Sequence, residues 1–66
     1  MAVAKVVELI SSSETSFEDA VKNGIDKAGE TLRNIQGAWV SEETVKVTDG
    51  SITEFRVTLR ITFLVE

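Results

Sequence analysis

From Ile52 to Val65 the chain alternates without interruption, with Phe55, Val57, Leu59, Ile61, Phe63 and Val65 on one side and Glu54, Arg56, Thr58, Arg60 and Thr62 on the other. A period of two sustained over this length reads as a long β-strand with one apolar face that must be covered. Immediately before it, Asp49-Gly50 supplies the positive φ angles of a tight hairpin turn. A second strand is therefore expected from after Gly37 to about Thr48. If Asp49 and Gly50 form a two-residue loop, Thr48 faces Ser51, and counting back pairs Val40 with Leu59, Ala38 with Ile61, Trp39 with Arg60 and Glu43 with Arg56. In that register Ala38 and Val40 join the covered face. Trp39, Ser41, Glu43, Val45 and Val47 share the outer face with Ile52, Arg56, Arg60 and Thr62.

Upstream, Val3, Val6, Val7, Leu9 and Ile10 form a β-branched run that predicts a first strand from Val3 to Ile10. The serine cluster "SSSETS" is expected to end it as a turn. Thr15 with Glu18, and Ser16 with Asp19, both offer a capping hydroxyl with a carboxylate three residues on, the aspartate version being the weaker of the two. The apolar positions Phe17, Ala20, Val21, Ile25, Ala28, Leu32 and Ile35 then recur at three and four residues, the stripe of an amphipathic helix that contains both Gly24 and Gly29. Glu18, Lys22, Asp26, Lys27, Glu30 and Arg33 fill its solvated side, with Glu18 and Lys22 as a favourable i,i+4 pair. Gly24 lies close to the stripe, where its helix penalty of about 1 kcal/mol is offset if it lets the helix approach a sheet closely. The order β-α-β-β predicts an α+β fold in which one three-stranded antiparallel sheet carries the helix on one face only.

A chain of 66 residues is one domain with a thin core, since burial at this size barely offsets the ordering entropy. It has no cysteine and no histidine, which removes disulfides and ordinary zinc sites as supports. Self-association is the support that remains. Seven basic against eleven acidic residues, a formal charge of −4, disfavour a nucleic-acid partner. Lys5 and Glu8 interrupt the apolar N-terminus well short of a secretory or membrane-spanning run, so a cytoplasmic protein without a membrane partner is expected.

Catalysis is disfavoured, because without His, Cys or Tyr no acid or base is tied to a nucleophile or a phosphate loop. Glu42, Glu43 and Asp49 are candidate oxygen ligands for Mg²⁺ or Ca²⁺ where subunits bring several together, although each reads first as a solvated or cross-strand-paired carboxylate. Arg56 and Lys46 are candidates for holding an anionic molecule. The single tryptophan, Trp39, points away from the only helix. It reads as a subunit interface with Arg60 stacked on it, or as a platform for a flat ligand, the interface being favoured on composition.

Taken together, the stretches "KVVELISSSETSFEDAVKNGIDKAGETLRNI", "GAWVSEE" and "DGSITEFRVTLRITFLVE" resemble the dodecin family over nearly the whole of residues 1–66. The resemblance implies a β-α-β-β subunit whose sheet partly wraps its helix, with twelve copies forming a hollow shell. It also implies non-catalytic storage or buffering of flavins such as riboflavin or FMN. In the family each isoalloxazine stacks on a tryptophan, and a glutamine of the last strand hydrogen-bonds the ring. Carried onto this chain, the tryptophan position falls on Gly37 and the glutamine position on Arg56. Trp39 comes two residues later, which keeps the same face but moves the ring ~6.6 Å along the strand. Arg56 donates but cannot accept a hydrogen bond. The resulting expectation is a flavin-binding homododecamer in which Trp39 stacks the ligand beside Gly37 and Arg56 contacts its polar edge or phosphate. The alternative is a shell that has lost flavin binding and holds cations or another anionic small molecule.

Overall fold

A computed structural model describes residues 3–65. It contains strand β1 (Val3–Ser13), helix α1 (Phe17–Ala28), strand β2 (Ile35–Thr48) and strand β3 (Ser51–Val65). All pairings are antiparallel and the strand order is β1-β3-β2. The uninterrupted alternating strand is therefore the central one, paired on both edges. Its apolar face is the core: Val57, Leu59 and Ile61 are each completely buried.

The helix reaches that face through its smallest residues. Ala20, Gly24 and Ala28 are the buried positions of α1, spaced so that they form one line along the helix. A Cβ at Gly24 would lie 2.6 Å from Leu59 Cδ1 and 3.0 Å from Ser11 Cβ, which bears out the reading of Gly24 as a close-approach residue. Val21, Ile25, Phe17, Val7 and Leu9 close around this line, and Phe17 meets Phe55 edge to face at 5.2 Å and 78°.

Both helix ends differ in part from expectation. The serine cluster does not end β1, because the strand runs on to Ser13, opposite Phe55. Ser13 then organises the turn: its Oγ donates to Asp19 Oδ2 at 2.6 Å and accepts from the Thr15 amide at 2.9 Å. Ser16 is the N-cap and accepts from the Asp19 amide at 3.0 Å. Asp19 reaches back to Ser13 and also accepts from Asn23, so the aspartate alternative prevails because its carboxylate finds a second serine. At the other end Gly29 is the C-cap rather than an interior residue. Leu32 and Ile35 lie beyond the helix yet still pack on the core, because Asn34 turns the chain in the left-handed region (φ 59°). The stripe thus continued past the helix through tertiary contact. The recorded ion pair of this segment is Lys27 with Glu30 at 3.3 Å, not Glu18 with Lys22.

Twelve helical residues span about 18 Å, whereas the molecule is 52 Å long. The helix packs on β1 and β3 and leaves β2 exposed beyond Ile35. Ala38 and Val40 do lie opposite Ile61 and Leu59, but both are exposed; the expectation that they join the core is corrected by the shortness of the helix.

The hairpin turn is as expected, with Thr48 opposite Ser51 and positive φ at both Asp49 (52°) and Gly50 (79°). Between turn and core, however, the ladder slips twice. Thr53 is the extra residue on β3 and Ser41 the extra residue on β2, so the two slips cancel at Trp39 but not between them. Glu43 consequently faces Val57, and Thr44 takes the place opposite Arg56. Glu43, Val45, Val47 and Ile52 move to the helix-side face, correcting their outer-face assignment. Each slip is held by a hydroxyl: Ser41 Oγ donates to the Thr58 carbonyl at 3.2 Å, and Thr53 Oγ1 donates to the Lys46 carbonyl at 3.3 Å.

Candidate functional site

The outer face of the sheet carries the tryptophan. Trp39 lies opposite Arg60, and Arg60 lies opposite Glu8 on β1, so the three form one row across all three strands. Trp39 is 58% exposed. The Arg60 guanidinium does not rest on the indole; its Nε donates to Glu8 Oε2 at 3.3 Å. A carboxylate stands directly opposite Arg60 on β1, and the guanidinium bonds to it instead of lying on the indole.

Gly37 is in the neighbouring row, opposite Thr62, and no slip separates it from Trp39. The two therefore share the outer face, as the two-residue spacing requires. A Cβ at Gly37 would meet only Thr62 Oγ1, at 3.9 Å, so the strip beside the indole is open. Thr62 Oγ1 is itself committed, donating to the Gly37 carbonyl at 3.1 Å. On the far side of the same face Val6 and Ile10 are 50% and 65% exposed and flank Glu8 along β1.

Arg56 stands apart from this group. It is four residues along β3 from Arg60, about 13 Å, with the Ser41 bulge between its row and that of Trp39. Its Nη2 donates to Glu54 Oε2 at 2.7 Å. With Thr44, Val45 and Lys46 it lines a shallow depression of about 330 Å³. Trp39 and Gly37 are thus brought together within one chain, and Arg56 is not brought to them. The candidate cation ligands are also dispersed: Glu42 pairs with outer-face Thr58, Glu43 with inner-face Val57, and Asp49 is in the turn. Among the described residues no three carboxylates are grouped to hold a metal ion. Glu8 is the site residue that sequence reasoning missed, because no short turn joins β1 to β3 from which a register is counted.

These features define a small β-α-β-β protein that covers one face of its sheet with a short helix and leaves a tryptophan-bearing face open. The family model described as Dodecin matches residues 3–66, and the chain belongs to the dodecin family. It is 31% identical over 64 residues to the dodecin of Thermus thermophilus, covering 97% of this chain and 93% of that one. It is 30% identical over 63 residues to the calcium dodecin of Mycobacterium tuberculosis, covering 96% of this chain and 89% of that one. The crystal structure of an arginine-to-alanine mutant of the Thermus protein superposes with a TM-score of 0.95 at 30% identity, over 100% of this chain and 98% of that one. The crystal structure of the Mycobacterium protein, described as a calcium-chelating immunodominant antigen with a novel calcium-binding site, gives 0.84 at 31% identity over 97% and 91%. Among the described residues no helix is long and apolar enough to cross a membrane.

Proposed function

We propose that this chain is a non-catalytic flavin-binding protein that stores or buffers riboflavin or FMN as a homo-oligomeric shell of twelve copies, with residues 1–66 as one dodecin-like domain in a cytoplasmic setting. The observation that carries the reading is the exposure of Trp39 on the helix-free face beside the open strip at Gly37. An exposed indole on an open sheet face is a stacking surface for a planar ring system, and a Cβ built at Gly37 would meet only Thr62 Oγ1. A bound isoalloxazine would contribute its planar aromatic surface and polar pyrimidine edge. Arg56, a fixed cation at the rim of a shallow depression, suits the phosphate of FMN. Its separation from Trp39 requires the ligand to extend along the sheet or to be shared between copies.

Self-association rests on a further observation. Trp39, Ile10 and Val6 on the outer face, and Val40, Val47 and Ile52 on the other, are all at least 44% exposed. A chain with apolar surface on both faces of one sheet buries it against other copies. Mixing the purified protein with FMN is expected to quench flavin fluorescence, and Trp39→Ala is expected to lose the quenching. Absence of quenching at micromolar wild-type protein overturns the reading.

A second reading is calcium holding, favoured by the name of the Mycobacterium relative. Here Glu42, Glu43 and Asp49 supply hard oxygen ligands, and because they are dispersed in one chain the site needs carboxylates from several copies. Calorimetric titration with Ca²⁺ distinguishes it: heat that saturates and disappears in Glu42→Gln supports it, and a flat trace removes it.

A further inference from the structure

Across the outer face the row Trp39, Arg60, Glu8 takes one residue from each strand. From end to end it spans two strand spacings, about 10 Å, comparable with a fused three-ring system. The row is open along its length, for Trp39 is 58% exposed and the side chains of Arg60 and Glu8 are each 57% exposed. Between them Arg60 and Glu8 commit only one N–H and one carboxylate oxygen; among the described residues neither side chain has another hydrogen-bond partner. A guanidinium has five N–H donors, and an ionised carboxylate accepts at about four lone-pair positions. The pair therefore presents spare donors and spare acceptors side by side, next to the indole.

We infer that the Glu8–Arg60 pair reads the imide edge of a planar heteroaromatic stacked on Trp39. In an isoalloxazine that edge runs carbonyl, ring N–H, carbonyl. Arg60 donates to a carbonyl oxygen and Glu8 accepts from the ring N–H, each bond being charge-assisted and hence stronger than its neutral counterpart. The two opposite charges already neutralise one another, so an uncharged ring meets no unpaired charge. This assignment rests on the flavin reading above and deepens it, because it names what would select the ligand. Arg56 with Glu54 is a pair of the same kind, but it lies about 13 Å along the strand from Arg60 and outside the row of Trp39, so it does not meet the same edge.

The test titrates the assembled protein with lumiflavin, an isoalloxazine without ribityl chain or phosphate, and with its N3-methyl derivative, following flavin fluorescence. For the wild type, methylation is expected to weaken binding about tenfold or more, the loss of a hydrogen bond to a charged acceptor. Glu8→Ala is expected to weaken lumiflavin binding by a similar factor and to abolish the difference between the ligands, whereas Glu8→Gln, which keeps an acceptor, retains part of it. Equal binding of the two ligands by the wild type overturns the assignment, and so does a methyl penalty that persists in Glu8→Ala, which would make it steric. The wild-type comparison needs no variant to fold. If the wild type quenches none of lumiflavin, riboflavin and FMN, the flavin reading falls and takes this assignment with it. If binding requires Trp39 but ignores N3 methylation, only the edge assignment falls.

Discussion

A Cβ placed on Gly24 would stand 2.6 Å from Leu59 Cδ1, closer than two carbons can approach. Leu59 is completely buried and Ser11 Cβ stands 3.0 Å from the same point, so a side chain there needs Leu59 or the helix to shift. The distance between the helix and the central strand is therefore set by the absence of a side chain at Gly24.

Gly24→Ala tests this. Helix propensity alone favours alanine by about 1 kcal/mol, but overpacking a closed site costs about 1–3 kcal/mol. The expected outcome is net destabilisation, read as a lower melting temperature at fixed protein concentration. A rise in melting temperature would show that the helix moves away freely.

The β1–α1 junction makes a contrast between adjacent hydroxyls. Ser16 Oγ caps the helix by accepting from the Asp19 amide, so Ser16→Ala is expected to cost about 1 kcal/mol. Thr15 is exposed and its recorded contact is through its backbone amide, so Thr15→Ala is expected to stay within about 0.5 kcal/mol. Chemical denaturation of both variants decides between the two capping boxes, and equal effects would remove the assignment of Ser16.

At the hairpin, Gly50 holds φ 79° with open space around its Cα. The cost of Gly50→Ala is thus backbone strain alone, about 1–2 kcal/mol. Asp49→Asn is expected to be neutral or slightly stabilising, because asparagine-glycine suits the same turn. Measuring both by thermal melting separates turn strain from loss of the Asp49 charge.

Val47 is 57% exposed on the part of the sheet the helix does not reach. Substituting it with aspartate removes no contact made within one chain's buried core, but it puts a charge where another copy is proposed to pack. The expected result of Val47→Asp is a smaller species on a sizing column at unchanged secondary structure by circular dichroism. An unchanged elution volume would place the intersubunit surface elsewhere.

Much of this was legible from local pattern. The alternation of β3, the Asp49-Gly50 turn and the three-and-four spacing of α1 are each written within a few residues. They fix period, turn type and the face that is apolar, and near the turn register follows by counting. Counting from the turn puts Trp39 opposite Arg60, and the structure agrees. The agreement owes something to cancellation, because Thr53 and Ser41 insert one residue on opposite strands, and neither serine nor threonine announces a bulge. Counting alone therefore puts Glu43 and Val45, which lie between the two, on the outer face, whereas they stand opposite Val57 and Phe55 on the helix side.

Local pattern suffices for a β-α-β-β order, a single apolar face on the last strand and a tryptophan turned away from the helix, because dihedral preference and side-chain period are properties of a few neighbouring residues; the rest depends on contacts between distant segments. Local pattern does not determine that β1 extends to Ser13, since the pairing of Ser13 with Phe55 and its bond to Asp19 join segments that no local rule connects. Nor does it determine that Glu8 stands across from Arg60 and bonds the guanidinium in place of Trp39. That choice belongs to the central position of β3, which brings an acidic residue from one edge strand and the tryptophan from the other to either side of one arginine.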